Sequence, residues 1–458
     1  MTGLAVPASL RARAVEPGDR RWEALRSTYT TAHDPALVLL PRTSEEVADA
    51  LVFAGGSGLP VSVRSGGHGL HGRSSNDGGI VVDLSVMDAI EVLDRDAGLV
   101  RLQAGARWGR VAERLARDGL AISSGDHGNV GVGGLATAGG IGWLTRTYGL
   151  TVDHVRAATV VLPDGRVVRT DPEHEPDLLW AVRGAGDSVG IVTDLDIEAM
   201  PLGLVGIGQV AVAADADVLL RWSQHLQGAP RDLTVNGLLS GSSGGAVLQM
   251  TAVVASDEPD RVRELLEPLG DLGGRVLGMQ AQLAPYTALV SSEHAHANYG
   301  QQPAITTNLL LPTLTSDSAQ VLLSVATHPA RPFVQVRSLG GATHDVAPEE
   351  SAFPHRSQNA LTTLTVFPPQ TGSELDEVAA PLRPFGTGAY RNFESRPDER
   401  TFWAAYPGAT GERVLELRRR YDPEGVLRRL DAPSQPVRGD GQVVGSTPNQ
   451  SSLNAMLS

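Results

Sequence analysis

The chain contains no cysteine among its 458 residues. Disulfides, thiolate nucleophiles and zinc–thiolate sites are therefore excluded, and the redox compartment stays undefined. Basic charge is also scarce, with 38 Lys and Arg against 52 Asp and Glu, a net charge of −14. Such a surface repels phosphate backbones and no Lys/Arg cluster offsets it, so no nucleic-acid partner is expected. No apolar run approaches the length of a membrane span, and no membrane partner is expected. The N-terminus, MTGLAVPASLRARAV, lacks a basic start followed by a continuous apolar stretch. No secretory signal is read there, and a cytoplasmic location is expected. Low-complexity sequence is nearly absent until Asp431, after which Pro, Ser, Gly, Gln and Asn dominate without periodicity. Residues 431–458 read as a disordered tail. The remainder, 41% hydrophobic and 20% charged overall, is the composition of a globular chain with a sizeable core. Its Ala, Arg and Gly richness suggests a high-GC bacterial genome.

Residues from about 35 to 200 alternate short strand-like runs with helices and glycine-rich turns. Thr43 and Glu46 fit a capping box, and Val47, Ala50, Leu51 and Ala54 share one helical face. Leu59 to Val63 reads as the next strand, Ile80 to Leu84 as a buried one, and Val100, Leu102 and Ala104 alternate as in a third. Val111 and Leu115 mark a further helix. Beyond about residue 205 the pattern changes. Strand-like stretches at 246–254, 306–311 and 332–339 are separated by helix candidates near 214–227, 258–268 and 315–327, an α+β arrangement. The segment 385–430 contains one predicted strand, Gly388 to Phe393, and one Arg-rich helix at about 410–420.

Two motifs carry chemistry. The first, Val63-Arg64-Ser65-Gly66-Gly67-His68-Gly69, follows directly on a strand. Consecutive glycines can turn successive N–H groups into a concavity that suits a pyrophosphate. From these residues alone a tight turn with an incidental histidine fits equally. The loop has neither the P-loop lysine nor the Rossmann spacing. The second runs from Ser124-Gly125-Asp126-His127-Gly128-Asn129-Val130-Gly131-Val132-Gly133-Gly134 through Gly139-Gly140-Ile141-Gly142-Trp143 to Asp153. So many glycines in a non-repetitive segment imply backbone packed against something large and flat, and the interleaved Val130, Val132 and Trp143 argue for burial rather than a linker.

The order of RSGGH, then GNVGVGGLATAGGIGWLTRTYGLTVDHV, then LLWAVRGAGDSVGIVT at 178–193 resembles the berberine-bridge-enzyme-like oxidases of the vanillyl-alcohol-oxidase superfamily. Ala389-Tyr390-Arg391-Asn392-Phe393 and Arg419-Arg420-Tyr421-Asp422-Pro423 resemble that family's terminal signature, and the likeness runs from about residue 30 to 430. It implies an α+β fold: a two-part FAD-binding domain of the p-cresol-methylhydroxylase type (1–205, with 385–430 returning to the flavin) and a substrate domain (206–384) on an antiparallel sheet.

The resemblance further implies FAD bonded through His68. Many relatives add a second link from a cysteine. Here that position holds His127, so a single link is expected, with His127 lining the flavin edge. Val130 falls over the oxygen-reacting face, where valine goes with oxidases, which favours O2 as acceptor. Arg64, Ser65, Gly66, Gly67, Gly69, Gly131, Val132, Gly134, Gly139, Gly142, Trp143, Val192 and Asn392 complete the expected FAD site. Tyr390 and Asn392, two apart on the predicted strand, would face the flavin together, with Tyr390 as general base on a substrate hydroxyl. A phenol has a pKa near 10, so this role needs surroundings that lower it. Phe393 replaces the second tyrosine of some relatives. Gln335 would orient substrate, since a glutamine takes no proton near neutrality, and Arg337 on the same face could bind a substrate anion. Ile141 replaces a tyrosine of the plant alcohol-oxidising members, so monolignol chemistry is not supported. His294-Ala295-His296 reads as a plain loop, and no metal is expected.

The expected activity is oxidation of an alcohol, sugar or natural-product hydroxyl, with hydride passing to flavin N5 and O2 yielding hydrogen peroxide. The alternatives are an oxidative cyclase or tailoring oxygenase on the same flavin, and a non-catalytic flavin-binding protein.

Overall fold

The computed structural model describes residues 4–242, 245–291, 298–301 and 303–427. The His294/His296 pair and the C-terminal tail lie outside these residues. No described helix is long and apolar enough to cross a membrane.

The first sheet holds β1 (Ala14–Val15), β2 (Leu37–Leu39), β3 (Val61–Arg64) and β4 (Ile80–Asp83) in the order β1-β2-β4-β3. β2, β4 and β3 run parallel, which requires crossovers. One is the helix Ser44–Ser57. The Thr43 hydroxyl caps it by accepting from the Glu46 N–H at 3.2 Å, while the Glu46 carboxylate accepts from the Arg42 N–H at 2.7 Å. Val47, Ala50, Leu51 and Ala54 are its buried face, and Gly58 ends it at a φ of 68°. The second sheet is antiparallel, with β5 (Ile90–Asp94), β6 (Leu99–Gln103), β8 (Val155–Val161), β9 (Val167–Thr170) and β10 (Ile191–Glu198) in the order β5-β6-β10-β8-β9. A two-stranded ribbon pairs β7 (Leu120–Ala121) with β11 (Met200–Pro201). The helix Trp108–Ala116 buries Val111 and Leu115.

The third sheet is a seven-stranded antiparallel one. Its strands are β12 (Leu204–Ala214), β13 (Leu233–Ser242), β14 (Gly245–Val254), β15 (Val276–Pro285), β16 (Ile305–Leu311), β17 (Phe333–Ser338) and β18 (Ala360–Val366), in the order β15-β12-β14-β13-β17-β18-β16. The helices Ala216–Gly228, Pro259–Leu266, Ser316–Ala326 and Gly372–Ala379 supply residues to a core with one face of this sheet, built from Val210, Leu248, Leu239, Val334 and Leu364 with Trp222, Leu322 and Leu375. Directly opposed residues in antiparallel strands share a face. The register therefore puts Gln280, Gln209, Thr251, Asn236 and Arg337 in one row on the other face. The sheet is aliphatic toward its helices, and toward the rest of the molecule it carries this polar row between apolar patches around Ile207 and Leu361.

One element departs from expectation. Gly388 to Phe393 is not a strand: Gly388 makes a single bridge to Leu310, and Arg391–Phe393 is a 3₁₀ turn. The reason is Asn308 on the edge strand β16. Its Oδ1 accepts from the Tyr390 N–H at 2.7 Å and its Nδ2 donates to the Tyr390 carbonyl at 3.0 Å. A side-chain amide takes the place of ladder bonds, the backbone lifts off the sheet, and the Phe393 N–H closes the turn onto the Tyr390 carbonyl at 3.0 Å.

Candidate active site

The two glycine motifs meet backbone to backbone. β3 delivers residues 65–69 to a turn in which Gly67 has a φ of 70°. A Cβ on Gly66 would overlap the backbone of Gly131, and one on Gly131 would overlap Ser65 and Gly66. These glycines permit the crossing of two loops, a closer approach than any side chain allows. Arg107 clamps the crossing: its guanidinium donates to the Gly66 carbonyl at 2.7 Å and to the Asn129 carbonyl. Burial pushes its pKa down.

Beside this crossing lies a cavity of about 430 Å³. Ser65, Gly66, Gly67, His68, Gly69, His127, Val130, Gly131, Gly134, Val192, Tyr390 and Asn392 all line it. The His68 ring stacks on Tyr29 at 4.6 Å and 15°, with the His127 ring 5.3 Å away. His127 Nδ1 accepts from the Asn129 N–H at 3.2 Å, which assigns the proton of the neutral ring to Nε2. A Cβ on Gly134 would meet no atom within 4 Å, so this stretch of backbone is a bare wall of the cavity. A long trough with bare backbone, loop N–H groups and a histidine in its wall fits a flavin dinucleotide.

The Tyr390 phenol accepts from the Gly140 N–H at 3.2 Å and from Asn392 Nδ2 at 3.1 Å. Those bonds favour the phenolate, but burial of a 2% exposed side chain outweighs them, and its pKa is pushed up. The expected lowering is not supplied by these surroundings.

Other residues singled out in the sequence stand away from the cavity wall. Arg64 is turned into a buried pair with Asp83, Nε to Oδ2 at 2.7 Å, and also donates to the Ser27 carbonyl at 3.0 Å. Val132 is in the core of the second sheet. Gly139 lies against the rings of Tyr390 and Phe353, so the flat objects this glycine admits are the chain's own aromatics. Gly142 packs on the Ser124 and Gly125 backbone, and Trp143 against the buried cluster of Ala112, Ala121, Leu144, Tyr286 and Val290. Arg337 is already ion-paired with Asp126, donates to Gln335 Oε1 at 3.3 Å and lies 5.0 Å over the Phe393 ring, leaving its buried Nε without a partner among the described residues. A pre-neutralised guanidinium is poorly suited to a substrate anion. Gln335 sits with it on the polar face of the sheet.

Several lining residues were not anticipated. Asp126 brings a carboxylate to the wall, Tyr29 is the ring under His68, and Glu394 is a buried carboxyl with its pKa pushed up by desolvation. Asp126 stood inside the second motif and could have been noted. Tyr29 sits in a stretch without periodicity or motif, and Glu394 stands one residue past the Ala389–Phe393 signature.

Residues 35–171 match the family described as an FAD binding domain. The chain is 37% identical over 201 residues to (R)-6-hydroxynicotine oxidase of Paenarthrobacter nicotinovorans, covering 43% of this chain and 44% of that relative. That match spans less than half of the relative's length. Chitooligosaccharide oxidase of Gibberella zeae is 26% identical over 463 residues, covering 90% of each chain. The solved structure of a variant of BBE-like 1 from Physcomitrella patens superimposes with a TM-score of 0.81 at 19% identity, covering 92% of this chain and 97% of that one, a likeness of fold. The chain carries an FAD binding domain over residues 35–171 and shares the fold of the BBE-like and carbohydrate oxidases.

Proposed function

We propose that the protein is an oxidase of an alcohol or sugar hydroxyl that carries FAD on a single bond to His68. The observation that carries this reading is the placement of His68 and Tyr390 in the wall of one cavity. FAD bound there would supply two-electron acceptor chemistry for a substrate C–H bond, with O2 as final acceptor and hydrogen peroxide as product. His68, stacked on Tyr29, is the attachment residue. The loop N–H groups of residues 66–69 hold the pyrophosphate, an anion-binding use of consecutive glycines. Tyr390 receives the substrate hydroxyl proton at its phenolic oxygen, and Asn392 and the Gly140 N–H steady that oxygen. Val130 leaves the approach of O2 open. Relatives named as nicotine and chitooligosaccharide oxidases support small organic substrates.

The test is anaerobic mixing of the yellow protein with a panel of sugars and secondary alcohols. Bleaching by at least one of them, with peroxide formed in step with substrate consumed once air is admitted, is expected. Bleaching without peroxide on reoxidation would contradict oxidase function.

A further inference from the structure

Edge strands expose rows of unpaired N–H and C=O groups, and proteins blunt them with charge, brevity or cover. Most edges of this molecule follow that rule. β5 carries Glu91 and Asp94, β9 carries Arg169, and β1 and β3 are two and four residues long. β16 is covered by the 388–395 segment through Leu310–Gly388, Asn308–Tyr390 and Thr306–Ser395 contacts. β15 breaks the rule. It is ten residues long, VLGMQAQLAP, with no charged side chain, and its described pairing is with β12 alone.

β15 is also exposed along nearly its whole length, including Val276 at 45%, Leu277 at 44%, Met279 at 43% and Leu283 at 38%. Met279 opposes Val210 and Leu283 opposes Gly206, so both stand on the helix-side face. The helix Pro259–Leu266 covers that face at Gly206 and Gly208, on the neighbouring strand. Beyond it only the 267–270 turn borders the ridge among the described residues, at Met279 and Val276, which stay 43% and 45% exposed. On the other face Gln280 donates to Gln209 at 2.6 Å, ending the polar row at the edge.

We propose that β15 pairs antiparallel with β15 of a second copy across a two-fold axis, joining two sheets into one of fourteen strands. A free edge can be completed by another strand, and an antiparallel repeat of the same strand closes both edges at once. Charge selects the place: two chains of net charge −14 repel, and this uncharged edge is where they can approach. Two ten-residue strands with their flanking side chains bury on the order of 1,000 Å², the lower bound of a specific interface.

Light scattering on the full-length holoprotein should give twice the 48.1 kDa chain mass. The Met279→Lys/Leu283→Lys double variant should halve it while flavin reduction stays unchanged, since both side chains are exposed in the single chain. The cysteine-free sequence provides an independent reading. Single cysteines placed in turn along 277–283 should cross-link on oxidation most strongly at the residue nearest the axis and less on either side. Val52→Cys, on the remote helix Ser44–Ser57, should not. A wild-type protein of single-chain mass, a dimer that survives the double lysine variant, or cross-linking without a maximum along the strand would overturn the proposal. So would a single-chain protein that dimerises only after removal of residues 428–458, which would assign the edge to the chain's own tail.

Discussion

Tyr390 shows how one side chain is pulled in opposite directions. Two donors on its oxygen favour the phenolate, and complete burial favours the phenol; burial wins. If Tyr390 is the base, only its deprotonated form accepts the substrate proton. The rate of flavin reduction should then climb with pH across the neutral range and not level off below about 10, the ordinary phenol value. A plateau reached already below neutrality would point to a carboxylate, and the wall holds two, Asp126 and Glu394. Tyr390→Phe keeps the ring against Gly139 and Phe353 but removes the proton acceptor. Stopped-flow reduction should slow by about 10²–10⁴, with the flavin spectrum and reoxidation by O2 nearly unchanged. Normal reduction in that variant would remove Tyr390 from the chemistry. For His127, the Nδ1 lone pair is taken by Asn129, and the neutral ring carries its proton on Nε2. Neither nitrogen is a free nucleophile, so peptide mapping should find flavin on the His68 peptide and none on the His127 peptide.

At the scale of the element, the segment 388–395 owes its shape to an amide side chain rather than to a ladder. Replacing Asn308 by Ala leaves the Tyr390 N–H buried without a partner and its carbonyl with the Phe393 N–H alone. The expected cost is about 1–3 kcal/mol, read as a lower denaturant midpoint, with slower flavin reduction because the phenol loses its anchor. An unchanged midpoint would mean that packing alone holds the turn. This is also where sequence reading fell short. Gly388 to Phe393 alternates like a strand, and nothing in those residues announces that Asn308, eighty-odd positions earlier, intercepts their hydrogen bonds. By contrast the helix Ser44–Ser57 was legible because its cap, face and stop are all local. The helices and strands with clear periodicity in 214–339 were legible for the same reason. β13 and β15 were not, because LTVNGLLSGS and VLGMQAQLAP interrupt alternation with Gly and Gln and gain their conformation from sheet neighbours.

The site was legible in its loops and obscure in its long-range partners. His68 and the glycines at 66, 67, 131 and 134 stand in contiguous motifs. Arg107, which clamps those motifs together, and Tyr29, which stacks on His68, are brought in by topology. Arg64 looked like part of the phosphate loop, yet its position at the end of β3 turns it to Asp83 in the neighbouring strand.

Across the whole molecule, buried titratable groups set the acid limit. His355 is desolvated, its ring bonded to the Ala405 carbonyl at 3.1 Å, and its pKa is lowered to about 4. A folded-state pKa below the unfolded value near 6.5 means stability is full above 6.5 and declines as pH falls toward 4. Integrated, that is an upper bound of about 3 kcal/mol. Denaturant titrations at pH 7 and pH 4.5 should show the loss, and His355→Gln should reduce the difference between them. An equal decline in the variant would place the acid sensitivity elsewhere.

The central claim, FAD held by one bond to His68, is tested most directly by the intact mass of the acid-denatured protein. Wild type should weigh one chain plus one FAD, and His68→Ala should weigh the bare chain. Bare polypeptide from freshly purified yellow wild type, or an adduct that persists in His68→Ala, would contradict the account.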